Sequence, residues 1–157
     1  MAGSPSVLKL WFNPVVLALL GSLVVFGALG LAGVGPWQEW PHSLRWALAV
    51  MFLLAASARL GPFRRALITM VPPGLPRPAL LVDVAGALEA LGAVGLLWDR
   101  TAPAAAVCLA LFLVAVFPAN VYAARAGAPV SRAVAIPLPI RTTQQVAFIA
   151  AAVACAF

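Results

Sequence analysis

Glu89 is the residue of this chain best suited to chemistry. It stands inside an apolar run, Ala79 to Trp98, that also holds Asp83. Insertion scales put a charged residue at a helix centre at roughly 2.5–3.5 kcal/mol, so such a group is paired, protonated or hydrated. A protonated Glu89 could carry protons or act as an acid. A paired one could hold a neighbouring helix or orient a ligand. Asp83 and Glu89 are separated by six positions, about 120° around a helix. They therefore face different ways and do not make a two-acid site.

Other polar groups converge with Glu89 by depth. Asn120 lies near the end of the run Ala102 to Ala124, two positions after Pro118. Proline frees a backbone carbonyl one turn back. Asparagine brings an amide that needs partners in lipid. Arg59 closes the second apolar run, and Arg141, Thr142, Thr143, Gln144 and Gln145 open the last. If successive runs cross in alternate directions, Arg59, Asp83, Asn120, Arg141, Gln144 and Gln145 gather on one side, with Glu89 deeper. Arg59 and Arg141 are the expected counter-ions of the two acids, and Asn120 or Arg141 is the favoured partner of Glu89. The alternative is that both arginines extend to headgroups and that the glutamines only cap the last helix. Around Glu89, the small residues Ala85, Gly86, Gly92 and Ala93 admit a close helix or leave room for a ligand.

The common catalytic constellations are absent from the sequence. There is no phosphate loop, nucleophile elbow or cysteine cluster. His42 stands alone in a connection, and a metal site needs three or four ligands, so no metal is expected. Cys108 and Cys155 form no CxxC pair and read as small apolar residues.

The elements that must position these groups are membrane helices. Of the 157 residues, 64% are hydrophobic and 9% charged, against about 45–50% and 25% in soluble domains. Mean hydropathy is +1.07. The fold expected is an all-α polytopic bundle in a single membrane domain, with spans at 14–34, 43–60, 79–98, 102–124 and 142–157. The first is too long for a signal-peptide core, which runs ~7–15 residues, and is read as a retained helix.

The net charge of +6 sets nine arginines and one lysine against four acids, and the basic residues are scattered, with only Arg64 and Arg65 adjacent. That pattern speaks for topology and against nucleic acid. With five spans, Lys9, Arg59, Arg64, Arg65, Arg77, Arg125, Arg132 and Arg141 fall on the N-terminal side, and only Arg45 and Arg100 on the other. The positive-inside rule then places the N-terminus in the cytoplasm and the C-terminus outside the plasma (inner) membrane. Trp11, Trp37, Trp40, Trp46 and Trp98 fall near span ends, as an interfacial belt requires. Phe63, Ala66, Leu67 and Met70 have helical spacing beside Arg64 and Arg65, which predicts a short amphipathic interfacial helix over 63–70. Pro72-Pro73-Gly74-Leu75-Pro76 ends it. Residues 127–140, broken by Pro129, Pro137 and Pro139, are also read as interfacial.

Four stretches, in this order, resemble the DoxX-like family of small bacterial membrane proteins. They are Val71-Pro72-Pro73-Gly74-Leu75-Pro76; Ala85-Gly86-Ala87-Leu88-Glu89-Ala90-Leu91-Gly92 with Leu96-Leu97; Ala115-Val116-Phe117-Pro118-Ala119-Asn120-Val121-Tyr122; and Leu138-Pro139-Ile140-Arg141-Thr142-Thr143-Gln144-Gln145. The resemblance covers residues 45–157. It implies a four-helix core in spans two to five, with the first span as an addition. Many members of that family carry a His-Phe pair where this chain has Arg59-Leu60. The family is named for its similarity to a subunit of a thiosulfate–quinone oxidoreductase, and most members have no assigned function.

The function expected is that of an accessory or binding protein. Its polar pocket would open toward the cytoplasmic leaflet and take a quinone, lipid or other apolar molecule. Glu89, Asn120 and Arg141 are the leading site residues, with Asp83, Gln145 and Arg59 beside them. The partners expected are membrane lipids, such a ligand, and a membrane or redox protein. The rival readings are a membrane subunit of a quinone-linked oxidoreductase, an assembly or structural subunit without ligand, and an isomerase using a buried acid. Haem and iron–sulfur ligands are lacking, so a redox role would need a partner to carry the electrons.

Overall fold

The computed structural model describes residues 13–61, 63–125 and 137–157, and all regular structure in them is helical. Helix α1 is Pro14–Leu31, followed by a 3₁₀ turn at Gly35–Gln38. Next come α2 (Trp40–Leu60), the short α3 (Arg64–Thr69), α4 (Pro78–Gly95), α5 (Ala102–Arg125) and α6 (Leu138–Ala154). Pro14, Pro41, Pro78, Pro103 and Pro139 sit in the first turns of the five long helices. There a missing N–H leaves no bond unmade and the fixed φ suits a helix. Asn13 caps α1, its Oδ1 accepting from the Val15 and Val16 amides at 3.0 Å each.

Helices α1, α4 and α5 are long and apolar enough to cross a membrane. Of the five expected spans, these three stand on length and composition. Helix α2 has 21 residues but carries His42, Ser43 and Arg45 at its start and Arg59 at its end. Helix α6 has 17 residues. The expected interfacial segment 63–70 is helical over Arg64–Thr69. Of the segment 127–140, residues 127–136 lie outside the described residues. Leu138 to Ile140 already belong to α6, because Pro139 opens that helix rather than breaking it. Lys9, Trp11 and Arg132 also lie outside the described residues.

Helix α2 is the centre of the bundle. It packs against α1 on one side and α4 on the other and also touches α6, while α5 joins α4 and α6. Leu48, Met51 and Phe52 of α2 meet Leu96, just past the end of α4, and Leu109 of α5 in the core. Gly92 permits that meeting. A Cβ there would lie 2.5 Å from Leu109 Cδ2. Helix α1 has no buried residue, and its Leu17, Leu20, Val24 and Val25 are exposed. So wide an apolar surface suits a membrane better than water.

The tryptophans divide into two groups. Trp40 and Trp98 point outward, about 60% exposed. Trp37 and Trp46 instead form an aromatic cluster with Phe26, with ring centroids 5.3–5.9 Å apart. That cluster ties the end of α1 to the start of α2, and the Ser43 hydroxyl secures it by donating to the Trp37 carbonyl at 3.0 Å.

Candidate functional site

Arg59 and Glu89 make the central contact. Helical side chains lean back toward their own N-terminus. From the last turn of α2, Arg59 therefore runs inward rather than out to the headgroups. Its Nη1 donates to the Ala55 carbonyl at 2.9 Å and to Glu89 Oε2. Gly86, one turn before Glu89, makes the groove for its stem. A Cβ on Gly86 would lie 2.9 Å from Arg59 Cδ and 3.3 Å from Arg59 Cβ. Glu89 is 5% exposed. It faces the interior as expected, but its partner is Arg59, not Asn120 or Arg141. The glycine on α4, which the sequence offered as a packing residue for a helix, admits an arginine stem.

Asp83 has a different partner. Arg64 of α3 holds it in a two-point fork, Nε to Oδ1 at 2.9 Å and Nη2 to Oδ2 at 2.7 Å. Both residues are partly exposed, and the carboxylate raises the pKa of the Arg64 guanidinium above its ordinary value. Neither Arg59 nor Arg141 serves Asp83. The two acids do belong to different faces, one at the surface and one inside.

Two buried glutamines stitch α6 to its neighbours rather than capping it. Gln145 accepts from Asn120 Nδ2 at 3.1 Å and donates to the Leu113 carbonyl on α5. That carbonyl is next to the Val114 carbonyl, which Pro118 leaves without its helical N–H. Gln144 accepts from Asn13 Nδ2 at 3.0 Å, so one asparagine both caps α1 and reaches α6. Arg141 is buried at the start of α6.

Between α2, α4, α5 and α6 lies a cavity of about 440 Å³, roofed by Leu67 of α3 and by Met70 and Leu75 of the segment that follows. Its walls are mostly apolar, among them Phe52, Phe112, Val116 and Phe148. Its polar lining is Arg59, Glu89, Asn120 and Gln145. Four of the six expected residues thus border one space. Asp83 braces the roof from outside, and Arg141 is not part of the lining. The volume falls in the ~300–1,000 Å³ range of small-molecule pockets, and apolar walls with a few convergent polar groups are their usual chemistry.

A second polar group sits at the opposite end of the bundle. Arg45, 8% exposed, donates to Asp99 in the α4–α5 connection. His42 Nε2 lies 3.3 Å from Asp99 and its Nδ1 3.6 Å from Glu39. The hydrogen bond and charge of Arg45, with His42 behind them, hold the Asp99 carboxyl below the usual range. The sequence carries a signal for this pair. Arg45 near the start of one span and Asp99 just past another fall on the same expected side. Cys108 and Cys155 are both free thiols, one exposed and one buried.

Residues 48–156 match the family model described as a domain of unknown function, DUF8561. The chain belongs to that family. No curated protein and no solved structure matches it.

Proposed function

We propose that this chain is an integral membrane binding protein of DoxX-like architecture, holding an apolar small molecule such as a quinone or lipid. The observation that carries this reading is the cavity of about 440 Å³ with Arg59, Glu89, Asn120 and Gln145 in an otherwise apolar lining. All five long helices lie in the bilayer in this reading. The polar ends of α2 support it, since Arg45 and Arg59 are both paired with carboxylates of the protein. The N-terminus is cytoplasmic, α3 lies in the cytoplasmic interface, and the cavity opens toward that leaflet. Arg59, Arg64, Arg65, Arg77, Arg125 and Arg141 all lie at the end of the bundle where α2 and α5 finish and α4 and α6 begin. The family match starts within α2, which agrees with α1 as an added helix.

The test is the mass spectrum of small molecules extracted from protein purified out of native membranes. A stoichiometric apolar molecule, lost when Ala119→Phe fills the cavity, is the expected result. A chain that carries nothing above the level of its filled variant would defeat the reading and favour a structural subunit.

A further inference from the structure

The unused hydrogen-bonding capacity of the cavity lining specifies its ligand. Glu89 bonds through Oε2, and among the described residues its Oε1 accepts from nothing. Asn120 donates through Nδ2, and its Oδ1 likewise has no donor. Arg59 uses Nη1 twice, while its Nη2 and Nε donate to nothing among the described residues. The residues that carry these open acceptors and donors line the same apolar space.

The charges there are already balanced. Arg59 and Glu89 neutralise each other, and the other two polar groups, Asn120 and Gln145, are uncharged. A ligand carboxylate or phosphate would compete with Glu89 for Arg59 and leave one negative charge unpaired in a low-dielectric cavity. A ligand ammonium would compete with Arg59 for Glu89 and leave a positive one. Either displaced charge is strongly unfavourable when buried. An aliphatic molecule with no polar atom would strand the open donors and acceptors without water.

We infer that the cavity selects an uncharged amphiphile whose polar end is a hydroxyl, the group that donates and accepts at one atom. The hydroxyl donates to Glu89 Oε1 or Asn120 Oδ1 and accepts from the free N–H groups of Arg59. The apolar body lies along Phe52, Phe112 and Phe148. This specificity rests on the binding reading given above, and it excludes fatty acids, acidic lipids and amines as occupants.

The test is a competition on the purified full chain in nonionic detergent. Lauryl alcohol, laurate and laurylammonium are supplied together, and adducts are ranked by native mass spectrometry. The alcohol is expected to bind at least about tenfold more tightly than either ion. Glu89→Gln leaves Arg59 uncompensated and should turn the preference toward laurate. Arg59→Gln leaves Glu89 uncompensated and should turn it toward laurylammonium. A purely structural ion pair would not move the ranking this way. If laurate or laurylammonium wins on the wild-type chain, or all three bind equally, the hydroxyl specificity is overturned while the cavity remains a binding site. If no probe binds and no native molecule co-purifies, the binding reading falls with it. Should either variant fail to fold, the wild-type ranking still decides. Ala119→Phe must abolish every adduct, and persistence of binding in that variant would place the site elsewhere and overturn the inference.

Discussion

Arg59 and Glu89, thirty positions apart, form a buried ion pair that joins the last turn of α2 to the middle of α4. Removing one member of such a pair leaves an uncompensated charge. Glu89→Gln is therefore expected to cost ~3–5 kcal/mol of stability. The double variant Arg59→Met, Glu89→Leu should recover most of that loss, because apolar residues of similar volume replace a buried pair without penalty in many proteins. Chemical denaturation in mixed micelles measures both. Equal losses for the single and double variants would show that the pair is not the unit of stability.

Gly86 should matter through Arg59 rather than through a helix contact. Gly86→Val puts side-chain atoms where the Arg59 stem lies, with a Cβ already 2.9 Å from Arg59 Cδ. A loss of about 1–3 kcal/mol is expected from overpacking. The loss should shrink in a background where Arg59 is alanine. A double-mutant cycle reads the coupling, and strict additivity would contradict the contact.

Gln145 serves two groups on α5 at once. Gln145→Leu leaves the Asn120 amide without its partner and takes a second donor from the Leu113 carbonyl, at a cost of about 1–3 kcal/mol for the stranded amide. Adding Asn120→Leu should cost less than it does alone, since the stranded amide is then gone. Thermal unfolding followed by circular dichroism would compare the three variants.

Asn13 separates capping from bridging. Asn13→Asp keeps an acceptor for the Val15 and Val16 amides and loses the donor to Gln144. Asn13→Ala loses both, including a cap of about 1 kcal/mol. The aspartate variant should therefore be the more stable of the two. Hydrogen exchange at Val15 and Val16 would report the cap itself, and should rise only in the alanine variant.

Asp99 predicts an acid-sensitive contact at the end opposite the cavity. Its carboxyl is held below the usual range by Arg45, first through the hydrogen bond and then through charge. A depressed carboxylate stabilises the fold above its unfolded pKa, about 3.9. That contribution falls away as pH drops through the folded value. Unfolding temperature should decline more steeply in this acid window for the wild type than for Asp99→Asn. Parallel profiles would remove Asp99 from the account.

The sequence by itself determined the helical class, the places of the long helices and the inward face of Glu89. These follow from local rules: runs of apolar residues, prolines that start helices, and the cost of a carboxylate among apolar neighbours. Gathering by depth was also legible, since Arg59, Glu89, Asn120 and Gln145 do meet around one cavity. Who pairs with whom was not. Depth ranks residues along a helix axis but says nothing of which helices are neighbours or how far a side chain reaches. Only the tertiary structure set α2 against α4 and let Arg59 lie over Gly86, so that Glu89 went to Arg59 and Asp83 to Arg64. Asn13 capping α1 while holding Gln144 on α6 depends on a contact across 131 positions, a distance over which no periodicity in a single chain carries information.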